Sequence, residues 1–543
     1  MPKPLPSAHV ASPVPPQKMP LTLEQAIGQK LMLSFAGTEP SAEILAVLKR
    51  QHVGGVTLFR ALNVESPAQV RALTAALQRA AAASGQPPLL IAADQEGGQL
   101  MALGDGPTPF PGNMALGATG SEDLARRAGT AIGRELSAMG INVNFAPVCD
   151  VNINPQNPVV GTRSFGEDPA LVARLSAAKI RGMQAAGVAA TAKHFPGHGD
   201  TLLDSHDGTP VLPHDSARLH GVELPPFVAA VRADVRLIMT AHIALPAFND
   251  GLNLPATLSP KILRGLLRDE LGFAGVIVSD AMDMRAIEQG PGLVIDAITA
   301  LSAGVDLLIL NHTAAEQQAV YAGAVQAARR ALLSPEDTLT SAQRVLALKR
   351  WLAEHQPFSL EVVGCAEHRA LALEVASHAV TLVRDTARQL PLRLPPEARI
   401  AAIVPRPADL TPADTSSYIT PSLAQALRKY HSPVDEFIMR LNPPEAEVAA
   451  LQEQLSRYAL VVVSTINATA HPGQAALVNA LLKRDIPTVA VALRMPYDFL
   501  AYPTAPTYVC VYSIQPPAME ALAQALFGHI PFAGRLPVSI PSR

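Results

Sequence analysis

The segment Lys193-His194-Phe195-Pro196-Gly197-His198-Gly199-Asp200-Thr201-Leu202-Leu203-Asp204-Ser205-His206 gathers three histidines and two aspartates within fourteen residues. Pro196, Gly197 and Gly199 stop it from continuing as a helix or strand, so it reads as a long polar loop to which the glycines lend mobility. Asp204 and His206 stand two apart, close enough for the carboxylate to hold one imidazole nitrogen and raise its basicity. An imidazole with an ordinary pKa of about 6.5, pushed upward, can give a proton to a leaving oxygen near neutral pH. That is a general acid/base pair. The same density of ligands invites a metal, and His194 and His198 have the i, i+4 spacing of a zinc pair. Pro196 and Gly197 break the helix that would make this spacing useful, so no metal is expected. The plainer alternative is a solvated loop whose histidines do no chemistry.

A proton donor of this kind needs a nucleophile facing it. Asp280 ends the apolar run Gly275-Val-Ile-Val-Ser279, which would carry its carboxylate from a buried strand to the mouth of a pocket. There it can attack an anomeric carbon, as a retaining glycosidase requires of the carboxylate opposite its acid. Capping of the following helix is the competing role for a strand-to-helix aspartate. Asp94, in Ala92-Ala-Asp-Gln-Glu-Gly-Gly98, is a candidate acceptor for paired sugar hydroxyls. Arg163, in Gly161-Thr-Arg-Ser-Phe-Gly-Glu-Asp-Pro169, is a candidate forked donor. Arg163 has an alternative as a structural ion pair with Glu167 or Asp168.

The elements that must position these groups are legible as eight short apolar runs alternating with Ala/Leu-rich helical stretches. The runs are Lys30–Phe35, Val53–Phe59, Leu89–Ala93, Ile141–Ala146, Ala189–Lys193, Leu237–Ala241, Val276–Ser279 and Val305–Leu310. Eight such units, each followed by a segment long enough for a crossover helix, predict a (β/α)₈ barrel. Asp94, Lys193 with His194, His242 and Asp280 then fall at the carboxyl ends of strands three, five, six and seven, where barrels carry their reactive groups. The last barrel helix reads as Ser341–Trp351. Beyond it, a helical stretch at His368–Val383 leads to strands at Ile400–Val404, Leu460–Ser464, Thr488–Leu493 and Tyr508–Tyr512. This reads as a smaller, open α/β sandwich. The expected organisation is a flexible proline-rich lead over 1–20, a catalytic barrel over 21–352, a linker over 353–367 and an αβα sandwich domain over 368–543.

The remaining composition mostly excludes. A chain of 543 residues exceeds what one core usually serves, and its net charge of −3 without long basic or acidic runs offers no footprint for nucleic acid or an anionic membrane. Its apolar runs fall well short of the roughly 20 residues of a membrane span. Cys149, Cys365 and Cys510 are an odd, widely spaced set, which argues against a disulfide framework. The lead lacks the continuous apolar stretch of a signal peptide, so a cytoplasmic location is expected. The expected partner is a small carbohydrate, with the chain a monomer or homodimer.

Taken together, Asp94-Gln-Glu-Gly-Gly98, Arg163-Ser-Phe-Gly-Glu-Asp-Pro169, Lys193-His-Phe-Pro-Gly-His-Gly199 with Asp204-Ser-His206, and Gly275-Val-Ile-Val-Ser-Asp280 strongly resemble glycoside hydrolase family 3. The resemblance covers nearly the whole chain, and the loop resembles that of the β-N-acetylglucosaminidase branch, which includes enzymes of peptidoglycan recycling. The ending Gly534-Arg-Leu-Pro-Val-Ser-Ile540 resembles the second domain of two-domain members. The resemblance implies a cofactor-free retaining exo-β-N-acetylglucosaminidase. In it Asp280 is the nucleophile, His206 the acid/base and Asp204 its orienting partner, while Asp94, Arg163, Lys193 and His194 bind the non-reducing sugar.

Two departures stand out. The family motif usually continues Gly-Gly-x-Val-x-Arg, whereas this chain has Gly97-Gly-Gln-Leu-Met-Ala102, which leaves the distal hydroxyls to another residue, Asp105 being a candidate. Ala281 follows the nucleophile where an acidic residue is common. Two alternatives accompany this reading. One is a family 3 phosphorylase, in which phosphate replaces water and the product is a sugar 1-phosphate. The other is a sugar-binding sensor on a decayed scaffold, motivated by the lost arginine, which would bind without turnover. A β-glucosidase draws its acid/base glutamate from elsewhere and fits less well.

Overall fold

The computed structural model describes residues 21–206, 208–287 and 292–541. The lead over 1–20 lies outside the described residues. Eight parallel strands close into a barrel: β1 (Leu31–Leu33), β2 (Gly55–Thr57), β3 (Leu90–Ala93), β4 (Val143–Asn144), β5 (Ala189–Phe195), β6 (Leu237–Thr240), β7 (Val276–Ala281) and β8 (Leu307–Leu310). Their order around the ring is β1-β8-β7-β6-β5-β4-β3-β2. Each overlaps one of the eight runs read from the sequence. β5 and β7 run two residues further than expected, so His194 and Asp280 are held by strand backbone itself.

Period-two alternation builds two cores from the same strands. Met32, Leu90, Ala92, Val276, Val278, Leu307 and Ile309 point into the barrel, and Val345 and Leu348 of the last barrel helix, Pro335–Ala353, pack against that cluster. Their neighbours Leu31, Leu33, Ile91, Ile277 and Leu308 point outward onto the helices. Several outer helices start alike: Ser66, Asp168 and Ser334 each accept a first-turn amide, and proline follows as the first helical residue. Proline has no amide to leave unsatisfied there, so the start is fixed at little cost.

The C-terminal sheet contains β9 (Thr381–Asp385), β10 (Ile400–Pro405), β11 (Val434–Met439), β12 (Leu460–Thr465), β13 (Thr488–Ala492) and β14 (Thr507–Cys510), ordered β9-β14-β13-β12-β10-β11. All pairs are parallel except β9 with β14. Buried clusters cover both faces, which gives the expected αβα sandwich. Two strands escape the sequence reading, and both are edges. The helix expected over His368–Val383 ends at Ala379, and Thr381 onward is β9. β11, Val-Asp-Glu-Phe-Ile-Met, is buried only at its two ends, with Asp435 to Ile438 half-buried or exposed, and so forms no continuous apolar run.

The two domains share a core. Met114, Ala115 and Ala118 of the barrel-side helix Asn113–Thr119 pack in one cluster with Val461, Ala490 and Tyr508 of the second sheet. Thr415 donates its amide and hydroxyl to the Gln99 carbonyl at 2.8 and 3.0 Å, and its hydroxyl accepts the Met101 amide at 3.0 Å. The 409–418 loop, between β10 and the helix Leu423–Arg428, is thereby fixed over the carboxyl end of the barrel.

Candidate active site

A cavity of about 300 Å³ opens at the carboxyl end of the barrel. Asp94, Arg163, Lys193, His194, His206 and Asp280 all line it, and Asp204 stands directly behind His206. All seven residues selected from the sequence are therefore brought together. The second domain contributes a wall, with Asp409, Pro412, Asp414, Thr415 and Tyr418 on the same cavity.

Asp280 accepts the amide of Ala281 at 2.8 Å. Among the described residues it caps no helix: the next one described, Leu293–Ala303, has Gly292 at its start. Burial works to raise its pKa, but His194, His242, the Ala281 amide and His206 outweigh burial and hold it below the ordinary carboxylate range. His242 is fully buried between the Thr257 hydroxyl (2.8 Å) and the Ala281 carbonyl (2.9 Å). Burial lowers its pKa, and its two contacts steady the backbone beside Asp280.

Across the cavity, Nδ1 of His206 lies 2.7 Å from Oδ1 of Asp204, which also accepts the His206 amide at 3.0 Å. Burial would lower the His206 pKa. The Asp204 hydrogen bond and charge, helped by Asp280, override that and raise it, while Asp204 itself is lowered. With Nδ1 committed to Asp204, Nε2 is the nitrogen left to exchange a proton.

The floor of the cavity is an ion network organised by two acids that sequence reasoning did not select. Glu96 accepts both Nε and Nη2 of Arg163, at 3.0 and 2.8 Å, and takes Lys193 at 2.8 Å. Burial of Glu96 is more than offset by these two cations, which hold it ionised. Lys193 also reaches Asp94 at 2.6 Å. Asp150, fully buried, accepts the His194 amide at 3.1 Å, the His198 amide at 2.7 Å and His194 Nδ1 at 2.7 Å. Glu96 sits two residues after Asp94 and Asp150 just beyond β4, so position at strand ends was the available signal. The partner expected for Arg163, Glu167 or Asp168, is replaced by Glu96, because Asp168 is spent capping the helix Pro169–Ala185.

Two further expectations change, the mobility of the loop glycines and the part given to Asp105. The glycines of the loop serve close approach: a Cβ on Gly199 would lie 1.8 Å from the Val151 carbonyl, and Gly197 takes φ of 133° against Glu223. His194 and His198 do not converge as a metal pair. Nδ1 of His198 meets Thr201 at 2.7 Å, and its pKa is pushed down to about 4, chiefly by burial. Asp105 does not replace the missing arginine, since its side chain is 99% exposed and lies outside the cavity wall that Ala102 helps form. Asp200, His214 and Glu223 gather within 4.8 Å elsewhere on the loop, and Arg218 already pairs with both of those acids.

A family model described as the glycosyl hydrolase family 3 N-terminal domain matches residues 22–348. The chain belongs to glycosyl hydrolase family 3. Among its relatives, beta-hexosaminidase A of Pseudoalteromonas piscicida is 38% identical over 427 residues, covering 71% of this chain and 70% of the relative. A beta-N-acetylglucosaminidase/beta-glucosidase of Cellulomonas fimi is 32% identical over 547 residues, covering 95% and 93%. The solved structure of a family 3 beta-N-acetylglucosaminidase from Paenibacillus sp. str. FPU-7 superposes with a TM-score of 0.91 at 40% identity, covering 96% of this chain and 99% of that one. The family resemblance read from the four motifs is thus borne out, and the barrel-plus-sandwich architecture is the one its relative has.

Proposed function

We propose that this family 3 chain is a retaining exo-β-N-acetylglucosaminidase. The observation that carries the reading is that a carboxylate on β7, held below its ordinary pKa, and an imidazole, held above its own by Asp204, line one cavity at the carboxyl end of the barrel. Asp280 attacks the anomeric carbon as His206 Nε2 protonates the departing oxygen. The resulting neutral imidazole then takes a proton from the water that releases the sugar with its β configuration restored. Asp94, Arg163, Lys193 and His194 offer acceptors and donors for the sugar's hydroxyls and acetamido group. The names of the three relatives support an N-acetylhexosaminide as substrate, and one of them adds a glucoside. The substrate we propose is a terminal N-acetylglucosamine, from peptidoglycan-derived or related glycosides. The three cysteines are unpaired, which supports a reducing, cytoplasmic setting; no described helix is long and apolar enough to cross a membrane.

The test is cleavage of a chromogenic N-acetylglucosaminide followed by proton NMR of the first product. β-N-acetylglucosamine appearing before the α anomer is expected, and initial release of the α anomer contradicts the reading. The same reaction in phosphate buffer separates water from phosphate as acceptor, because a phosphorylase yields the sugar 1-phosphate.

A further inference from the structure

Among the described residues three lysine or arginine side chains line the cavity, and two are committed. Arg163 forks onto Glu96, and Lys193 bridges Asp94 and Glu96. Arg60, three residues beyond the end of β2, is the third. Its guanidinium is held without being satisfied. One face rests on the Tyr418 ring, 4.1 Å from the centroid, while its two protein hydrogen bonds are long: 3.5 Å to the Met101 carbonyl and 3.4 Å to the fully wet carboxylate of Asp105. The side chain is nonetheless only 10% exposed. Among the described residues, most of its five donors therefore lack a protein acceptor of good geometry, although the side chain is largely covered. Its contact with Met101 sets the guanidinium beside Ala102, whose methyl group offers the cavity no donor. Asp409, on the same wall, turns its oxygens to the amide and hydroxyl of Ser417, both at 2.7 Å.

Topology says which part of the sugar this cation faces. In the ring of eight strands, β3 stands four places from β7, diametrically opposite it, and β2 is the neighbour of β3. A pyranose whose C1 meets Asp280 on β7 presents C4, the ring position opposite C1, toward Asp94 after β3 and Arg60 after β2. We infer that Arg60, held on its outer face by Tyr418 of the second domain, binds the C4 hydroxyl of the non-reducing sugar and selects the gluco over the galacto epimer. This rests on the glycosidase reading above. Asp94 and Arg60 would then act as acceptor and donor on one hydroxyl region, a polar match that an epimer breaks.

The experiment compares wild type, Arg60→Ala and Arg60→Lys on nitrophenyl N-acetylglucosaminide, its C4 epimer the N-acetylgalactosaminide, and the 4-deoxy analogue. A lost hydrogen bond to a charged donor predicts a fall of roughly 10- to 100-fold in kcat/KM on the gluco substrate for Arg60→Ala. It predicts little further loss on the 4-deoxy analogue, a collapsed gluco/galacto ratio, and partial recovery with lysine, which keeps the charge but loses the fork. Equal fractional losses on all three substrates mean a purely structural role and overturn the inference, as does no loss at all; either leaves the glycosidase reading standing. Wild-type protein that turns over neither epimer overturns that reading and this one with it. If Arg60→Ala fails to fold, Arg60→Lys and Tyr418→Leu, which removes the ring beneath the cation, carry the same comparison of ratios.

Discussion

Asp204 determines what His206 can do, because its carboxylate takes both the backbone amide and Nδ1 of the imidazole. The pH profile follows from the signs. Asp280 must be ionised and is held below its ordinary value, so the acid limb of kcat/KM lies below about pH 4. His206 must be protonated and is held above its ordinary value, so the basic limb lies above about pH 6.5. Asp204→Asn removes the negative charge, and the basic limb moves to lower pH with a loss in kcat of about 10²- to 10⁴-fold. Fitting kcat/KM against pH for both proteins checks this, and an unmoved basic limb contradicts it. The same pair contributes to stability with opposite signs for its partners. The part from Asp204 is present above its unfolded pKa and lost as pH falls through the folded one. The part from His206 is present below its unfolded pKa and lost as pH rises through the folded one. At this scale the sequence named the reacting groups because Asp280 and the Asp-x-His pair carry their partners nearby in the chain. It did not name Glu96 or Asp150 because a buried acid is recognised by what it meets across strands, and Glu96 meets Arg163 and Lys193 at separations of 67 and 97 residues.

The loop after β5 shows how an element holds a residue such as His206. Asp150 takes the amide of His194 at the end of β5 and that of His198 in the loop, Asn157 donates to the carbonyls of His198 and Thr201 at 2.8 and 3.2 Å, and Gly199 passes so close to Val151 that no side chain fits. Gly199→Ala must push this backbone away from Val151, carrying the Asp204–His206 pair with it. A displacement near 1 Å predicts a fall in kcat of about 100-fold, together with a lowered melting temperature, because the added Cβ meets backbone and not a yielding side chain. Steady-state kinetics beside a thermal melt checks this, and wild-type kcat in a folded variant contradicts it. From sequence, the two glycines gave the loop its place but suggested freedom where the structure has contact. The barrel strands were legible because both their faces are buried and they read as apolar runs. β9 and β11 were not, because an edge strand keeps polar residues on its wet side.

At the scale of the whole chain the second domain is part of the catalytic unit. It supplies Tyr418 and Thr415 to the cavity, and its core is continuous with the barrel helix Asn113–Thr119. None of this was readable in advance, since the Thr415–Gln99 bond joins residues 316 apart. A shared core predicts shared unfolding, and the chain carries its own probes. Trp351, the one tryptophan, packs at the base of the barrel, and seven of the eight tyrosines lie beyond residue 400. Trp fluorescence and tyrosine near-ultraviolet dichroism are expected to lose their native signals at one denaturant midpoint, and two separated midpoints would contradict the shared core. Residue, loop and domain converge on one chemical event, attack by Asp280 on an anomeric carbon while His206 protonates the leaving group. The most direct measurement is to load the protein with a slow fluorinated N-acetylglucosamine donor and map the modified peptide by mass spectrometry. The expected result is one glycosyl group attached to Asp280, and a label on any other residue, or none from a donor that the protein turns over, contradicts the account.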